Sequence, residues 1–277
     1  MSAVGRGYPC CLTAILVAAL AASGAYSPAG QQYGRSPLMS DEQNQILDRV
    51  RAYATSYVSQ LPNFVCVERT ARRISNAKGK PYKTVDEMES KLSFVDGKES
   101  YETRPLATIG KRTPRAAALP QFELKGEFGS LMRGVLVADQ ATFSWMGWDR
   151  AGNVRVGVFA YRVARDQSTL VVTNGTGEGV VVAYHGLVFA APETGAVMKI
   201  TSDAEDIPPR FAFSKPSSEV SYGAVEISGK SYLLPVASVY SGVYSGHGRK
   251  GLFRNESEFR EYRKFGSEST IKFGDER

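Results

Sequence analysis

The two histidines, His185 and His247, are the residues of this 277-residue chain best suited to acid–base chemistry or metal binding. His185 lies in a predicted strand and His247 in a glycine-rich stretch, and they are too few for a histidine-rich or cysteine/histidine metal site. A serine nucleophile would need one of these imidazoles as its base, but no nucleophile-elbow motif is present. We interpret His185 as a half-buried strand residue. The sequence therefore predicts no catalytic residue, no metal site and no cofactor, and the protein is expected not to be an enzyme.

Carboxylate pairs leave one enzymatic hypothesis open. Glu87 and Glu89 alternate onto one polar strand face, and such faces are usually solvated. The two carboxyl groups of a glycosidase meet only in the folded protein, so an envelope hydrolase remains the third functional hypothesis. The glycine run 174–179 resembles a phosphate cradle, but a strand follows it instead of a helix N-terminus. That run is interpreted as a hairpin turn.

The chain carries a net charge of +6 and has an isoelectric point near 9.1, which suits an anionic partner. Basic residues are concentrated in two predicted connections between strands, one with Arg72, Arg73, Lys78, Lys80 and Lys83 and the other within 104–125. If the two connections meet, they form a cationic rim beside a cavity; otherwise both are solvated loops. The residues assigned to this rim are Arg72, Arg73, Arg104, Lys111, Arg112 and Arg115. Nucleic acid is not expected as a partner, because neither a binding motif nor the compartment fits.

The N-terminus indicates the compartment. Arg6, the apolar stretch Cys10 to Ala22 and the small residues 23–25 are typical of a signal peptide, predicted at 1–25. The apolar stretch is shorter than the roughly 20 residues of a spanning helix, so an uncleaved membrane anchor is only the alternative. The protein is expected to be periplasmic or secreted. Cys66 is then the single remaining cysteine, and it is interpreted as a small buried hydrophobic residue.

A flexible linker, 26–39, leads into one predicted domain, 40–277. Ser40 and Gln43 form a predicted capping box, and apolar residues follow at spacings of three and four up to Leu61, which precedes Pro62. This pattern predicts an amphipathic helix that lies across a sheet. Its apolar face carries Ile46, Leu47, Val50, Tyr53, Ala54, Tyr57, Val58 and Leu61.

Strand patterns and turn signals fill most of the remaining chain and predict one long antiparallel meander. Its central hairpin joins a continuous strand, 180–190, to an alternating strand, 196–201, with Ala196, Met198 and Ile200 on one side. A short second helix is predicted at 128–136, a long mobile loop at 104–125, a glycine-rich loop at 241–251 and a helix or turn at 256–265. The other predicted strands are 64–74, 83–94, 99–103, 141–150, 154–164, 170–173, 220–227, 231–234 and 269–273.

The central hairpin also carries a recognisable motif. Tyr184-x-Gly186 followed by Thr194-Gly195-x-Val197-x-Lys199-Ile200 resembles a hairpin of LolA-like outer-membrane lipoprotein-sorting proteins and RseB-like sensors. Further matching segments are Tyr222-Gly223-Ala224-Val225-Glu226-Ile227, Leu233-Leu234-Pro235, and Asn255 with Phe259, Tyr262, Arg263 and Phe265. The resemblance implies a strongly curled antiparallel sheet, an incomplete β-barrel, with helices over an apolar cavity on its concave side. The basic insertion 104–125 departs from the pattern of the carriers.

The sequence thus predicts a mainly β fold with some α-helix and an exported, non-enzymatic binding protein. Its ligand is expected to be apolar or amphipathic, such as a lipid or a lipoprotein acyl chain, and the envelope membrane surface is a further expected partner. The alternative is a structural or protein-interaction domain whose core is filled by its own side chains. The residues predicted to line the cavity are Val50, Tyr53, Tyr57, Phe143, Trp145, Phe159 and Tyr161.

Overall fold

The structure is a computed structural model of the chain, and it describes residues 39–76, 78, 80–108, 127–173, 179–246 and 249–266. All of these residues belong to one compact unit, Pro37–Arg277. The predicted signal peptide, nearly all of the predicted linker and the predicted closing strand 269–273 lie outside the described residues.

The first element is the predicted amphipathic helix, α1 (Asp41–Gln60). Its capping box is formed: the Ser40 backbone N–H donates to the Gln43 side chain at 2.9 Å, and the Gln43 N–H donates to Ser40 Oγ at 3.3 Å. These two bonds satisfy backbone donors that the first helical turn leaves unpaired. The predicted apolar face is buried along Ile46, Val50 and Tyr57.

A large antiparallel sheet of ten strands forms the body of the protein, in the order β3-β2-β1-β12-β11-β10-β9-β8-β5-β4. A separate two-stranded sheet pairs β6 with β7. The strands are β1 (Phe64–Ser75), β2 (Lys83–Val95), β3 (Lys98–Thr108), β4 (Thr142–Ala151), β5 (Val154–Val163), β6 (Val171–Thr173), β7 (Gly179–Val181), β8 (Tyr184–Ala190), β9 (Val197–Ala204), β10 (Phe213–Ile227), β11 (Lys230–Gly246) and β12 (Arg249–Lys264).

The order of these strands corrects the prediction of one long meander with the β8–β9 hairpin at its centre. β1 pairs with β12, which joins the two ends of the strand series, and among the described residues the sheet is interrupted between β3 and β4. The segment Glu127–Ala138 lies between these two strands in the chain. It contains the short helix α2 (Ser130–Arg133) and a π-helical turn, Gly134–Ala138, close to the predicted second helix. The large antiparallel sheet, which is not closed among the described residues, and its two helices confirm the predicted mainly β fold with some α-helix.

Two details of the predicted central hairpin are different in the structure. The predicted strand 180–190 is split at Val182 and Ala183, because Val181 pairs with Val171 in the small sheet while Tyr184 begins β8. The pairing of β6 with β7 confirms the hairpin that was predicted across the glycine run. In β9 the register shifts between Phe189 and Ala190 of the partner strand, so Val197 is buried in the same cluster as Ile200 while Met198 packs on the opposite face.

The largest errors of the sequence prediction concern the last two strands. The predicted glycine-rich loop 241–251 is mostly strand, because β11 extends to Gly246 and β12 begins at Arg249. The predicted helix or turn 256–265 is the second half of β12. Buried and partly exposed residues alternate along this strand, but its buried positions include Asn255 and Ser257. Since the buried positions are polar, the period of two is not visible as a hydrophobic pattern.

The glycines of the hairpin motif have a packing role. Gly195 has φ +71°, and a Cβ built on it would lie 2.3 Å from the Arg49 carbonyl oxygen of α1. A Cβ on Gly186 would lie 2.0 Å from the Thr201 carbonyl oxygen of β9. Arg49 Nε also donates to the Pro192 carbonyl oxygen at 2.8 Å. The motif therefore allows the β8–β9 turn to approach the backbone of α1 closely.

Candidate functional site

The face of the large sheet that carries α1 and α2, here called the inner face, contains the predicted site residues. Val50, Tyr57, Phe159 and Tyr161 are buried in one cluster. Tyr53, Phe143 and Trp145 are partly buried and pack against it, so all seven predicted lining residues come together. We call this group, with the residues of α1, α2, β8, β9 and β10 around it, the helix-covered cluster. A ligand-binding role for these seven residues remains a prediction.

The tyrosines of the helix-covered cluster are uncharged hydrogen-bond donors. Tyr57 Oη donates to the Leu233 carbonyl oxygen at 2.9 Å and Tyr161 Oη to the Thr201 carbonyl oxygen at 2.7 Å. Tyr184 Oη donates to Asp139 Oδ2 at 2.7 Å. Burial raises the pKa of all three phenols, and it raises the pKa of Tyr53 to about 12. The cluster therefore presents an apolar surface in which the hydroxyl groups of Tyr57, Tyr161 and Tyr184 are already bonded.

A series of aromatic rings connects this cluster with solvent at the edge strand β4. The rings of Phe159 and Trp145 have centroids 5.1 Å apart, and those of Trp145 and Trp148 are 4.9 Å apart. Phe159 is fully buried, whereas Trp148 is 42% exposed. The Arg155 guanidinium lies 3.7 Å from the centroid of the Trp148 ring, within cation–π distance. Apolar surface thus continues from the exterior into the core.

Further along the inner face the lining becomes polar. The alternation of β1 that places Phe64 and Cys66 on this face also places Glu68, Thr70 and Arg72 there. Arg72 Nε donates to Asp86 Oδ1 at 2.6 Å, and the Thr70 and Ser257 hydroxyls are 2.7 Å apart. We call this region the inner polar band. Its buried members are Glu68, Asp86, Ser90, Ser202, Ser218, Ser238, Asn255 and Ser257.

A buried carboxyl group, which the sequence did not indicate as functional, lies in a second aromatic cluster on the same face. Glu127 is 1% exposed, and its carboxyl oxygens are 3.4 Å from Tyr101 Oη and 3.4 Å from Ser238 Oγ. We call this group the Glu127 cluster. The buried apolar members around the carboxyl group are Phe64, Cys66, Leu92, Phe94, Phe128, Ile227, Leu234 and Phe259. Burial, and next the charge of Glu68, raises the pKa of the Glu127 carboxyl well above its usual value.

The structure places the described cations of the predicted rim in strands and on opposite faces of the sheet. Arg72 and Arg73 belong to β1 and Arg104 to β3, which corrects the prediction that they lie in connecting loops. Arg72 faces inward with Asp86, whereas Arg73 pairs with Glu256 and Arg104 with Glu89 on the outer face. Residues 104–108 of the predicted loop 104–125 are strand. Lys111, Arg112 and Arg115 lie outside the described residues.

The two glutamates of the predicted carboxylate pair differ in their exposure to solvent. Glu87 is exposed as expected, but Glu89 is only 4% exposed because Arg69 and Arg104 contact it from both sides, each at 2.9 Å. This arrangement is a structural ion-pair network on the outer face, and it does not resemble a pair of glycosidase carboxyl groups on either side of a cleft.

The remaining candidates for chemistry do not assemble into a catalytic or metal site within the described ranges. His185 is half-buried in β8, as predicted, and its Nδ1 lies 2.8 Å from Glu205 Oε1, which Arg162 also contacts. His247 lies outside the described residues. Cys66 is fully buried, as predicted, and burial raises the pKa of its thiol. No group of three or more metal-ligating side chains occurs in the part of the chain that the structure describes.

Comparison with known proteins adds structural resemblances only. No family model matches the sequence. No curated protein matches it either.

Among the described residues, no helix is both long and apolar enough to cross a membrane.

Solved structures with a similar arrangement include three bacterial proteins. A DUF1329 family protein from Desulfovibrio piger has a TM-score of 0.40 and 7% identity, covering 83% of this chain and 96% of its own. A putative outer membrane lipoprotein-sorting protein domain from Vibrio parahaemolyticus has a TM-score of 0.37 and 8% identity, covering 84% and 95%. MucB of Pseudomonas aeruginosa, solved in complex with MucA, has a TM-score of 0.22 and 11% identity, covering 80% and 94%.

Proposed function

We propose that the protein is an exported, non-enzymatic binding protein that holds an amphipathic ligand, such as a lipid or a lipoprotein acyl chain, on the inner face of its half-barrel. The observation that carries this proposal is the amphipathic lining of that face. The helix-covered cluster offers apolar surface that begins at the exposed Trp148, and the inner polar band offers hydroxyl groups, an amide and the Arg72–Asp86 pair. Export rests on the predicted signal peptide.

The energetics favour an acyl chain as the apolar part of the ligand. Each buried methylene group contributes about 0.8 kcal/mol, so a chain of about ten methylenes supplies enough to offset the cost of immobilising the ligand. The chain would enter between Tyr53, Phe143 and Trp145, which are the partly exposed residues among the seven predicted lining residues. Because protein interiors are close-packed, entry requires these three side chains to move. The polar end of the ligand would lie along the inner polar band.

Binding can be tested with protein purified from its own envelope and examined by native mass spectrometry. We expect a bound lipid or acylated peptide in the wild type. For a quantitative comparison, a fluorescent long-chain fatty acid is titrated into delipidated protein. Phe143→Ala should weaken its binding about tenfold or more, since loss of a buried aromatic contact exceeds the ~1.4 kcal/mol that corresponds to a factor of ten.

The matched control is Thr142→Ala, an exposed change in the same edge strand, which should leave binding of the fatty acid unchanged. Absence of both a bound mass and saturable fatty-acid binding would contradict the proposal. That outcome would favour the second candidate, a structural or protein-interaction domain. The observation in favour of this candidate is that Val50 and Phe159 are both 0% exposed, so their side chains already fill the space between α1 and the sheet.

A further inference from the structure

Glu127 is the first described residue after β3. Residues 127–138, here called the crossover segment, lie between β3 and β4 in the chain. The carboxyl oxygens contact Tyr101 of β3 and Ser238 of β11, and the Glu127 carbonyl oxygen accepts from Tyr222 Oη of β10 at 2.9 Å. One residue thus attaches the start of the crossover segment to three strands.

The surroundings of this carboxyl favour its neutral form. In the described part of the chain, no Lys or Arg side chain forms an ion pair with Glu127, and an ionised carboxylate that is buried without a cation is costly. The nearest acids, Glu68 and Glu99, would repel a second negative charge. The titratable groups that face Glu127 are Glu68 and Cys66 of β1, Glu99 and Tyr101 of β3, Tyr222 of β10 and Tyr262 of β12.

Both clusters of the inner face depend on the position of the crossover segment. Phe128 packs against Phe64 and Phe259, with ring centroids 5.4 and 5.5 Å apart. Met132, Val135 and Leu136 are buried members of the helix-covered cluster. Movement of the segment would therefore open the Glu127 cluster and uncover one side of the proposed ligand site.

The two ends of the crossover segment are attached by different means. At its C-terminal end, Asp139 Oδ2 accepts from Tyr184 Oη at 2.7 Å and from the Thr169 N–H at 3.1 Å. At its N-terminal end, the Glu127 carbonyl oxygen accepts from Tyr222 Oη at 2.9 Å, but the two contacts of the carboxyl group are each 3.4 Å long. The carboxyl contacts are therefore the weakest polar contacts at the two ends.

We propose that Glu127 is a proton-operated latch: in its neutral form it holds the crossover segment against the inner face of the sheet, and its ionisation releases the N-terminal end of that segment. Release lets the carboxylate reach water, which removes the cost of keeping a charge in the aromatic cluster. The contacts of Asp139 remain and act as the hinge. The latch does not require a ligand, so it can be tested independently of the proposed binding function.

Hydrogen exchange of the ligand-free full chain tests the latch. Protection of amides in 127–138 is measured from acidic to mildly alkaline pH, corrected for the intrinsic exchange rate and referred to peptides of the β10–β11 hairpin. In the wild type, protection of the segment should decrease as pH rises, while the hairpin peptides stay constant. In Glu127→Gln, which keeps the shape but cannot ionise, protection of the segment should not depend on pH. Glu193→Gln, an exposed change in the β8–β9 turn, should behave like the wild type.

Tyr101→Phe provides a second variant if Glu127→Gln does not fold. The Tyr101 hydroxyl donates to Glu99 Oε2 at 2.6 Å and, as a longer contact, lowers the pKa of the Glu127 carboxyl, so its removal should move the loss of protection to higher pH. The latch is overturned if the segment of the wild type shows no pH dependence, if Glu127→Gln keeps the same dependence, or if Tyr101→Phe leaves the midpoint unchanged or lowers it.

Discussion

The helix-covered cluster and the Glu127 cluster lie on the same face of one sheet, and both are rich in aromatic rings. Their buried polar groups differ in chemical type and in hydrogen-bond partners. In the first, the Tyr57 and Tyr161 hydroxyls donate to backbone carbonyl oxygens that carry no charge. In the second, a carboxyl group lies among phenylalanine rings, and its state depends on a proton. Two cores of similar composition can therefore differ in kind: the polar contacts of one come mainly from tyrosine hydroxyls, whereas those of the other centre on a carboxyl group whose charge depends on pH.

The most direct test of this difference is to place a carboxyl group in the helix-covered cluster. Val50 is 0% exposed, so Val50→Asp buries an acid for which no donors are arranged. We expect a loss of at least ~3 kcal/mol in the free energy of unfolding at neutral pH, measured by urea denaturation, with partial recovery in acid as the side chain protonates.

Ala52→Asp is the control for Val50→Asp, because it adds the same acid to an exposed position of α1. It should cost less than about 1 kcal/mol through helix propensity. Similar losses in the two variants would show that the Val50 face of α1 is not packed on the sheet.

The attachment of α1 to the β8–β9 turn gives the next largest expected effect. Gly195→Ala places a Cβ against the Arg49 carbonyl oxygen at a positive φ, and we expect a loss of about 3 kcal/mol by overpacking and backbone strain. Gly152→Ala isolates the strain, because Gly152 has φ +60° with no atom within 4 Å of the added Cβ, and it should cost about 1 kcal/mol. Equal melting temperatures for the two variants would contradict the close contact.

The last expected effect is a pH dependence of stability that comes from the Glu127 cluster. The folded-state pKa of Glu127 is raised, so above the ordinary pKa of glutamate the unfolded state releases a proton that the folded state retains. Stability should therefore fall with rising pH, by about 1.4 kcal/mol per pH unit from this one group, from about pH 4 up to its folded-state pKa. Urea denaturation across pH should show this slope in the wild type and a slope reduced by this amount in Glu127→Gln. If the plots of stability against pH are parallel for the two proteins, titratable groups other than Glu127 cause the pH dependence.

The parts of the fold that the sequence predicted are those controlled by local chemistry. The Ser40 capping box predicted the start of α1, and the dipeptide Asp96-Gly97, which is typical of tight turns, has positive φ angles at both residues between β2 and β3. The extent of β11 and β12 was not predicted, because their buried positions include polar residues whose partners come from distant strands.

The same limit applies to the candidate site. The predicted lining residues share one cluster because each lies on an apolar face that can be read from the sequence. Glu127 carries no such signal, since a single glutamate beside a phenylalanine is an ordinary surface pattern, and its burial results from Tyr101, Tyr222 and Ser238. The sequence predicts a loop at Arg104, because three prolines follow within 105–120. In the structure Pro105 belongs to β3, an edge strand, and lies where the register between β2 and β3 shifts.

The pairing of β1 with β12 has a consequence for the order in which the protein folds. Thr70 and Ser257, whose hydroxyls meet across this seam, are 187 positions apart in the chain. Closing so large a loop costs conformational entropy before the stabilising contacts can form. Proteins in which contacts between distant residues dominate therefore fold more slowly. During synthesis β1, β2 and β3 can form a three-stranded sheet, but the β12 side of β1 stays unpaired until almost the whole chain has been made. The half-barrel is therefore assembled late, and until then β1 is an open strand edge that needs protection from pairing with other chains.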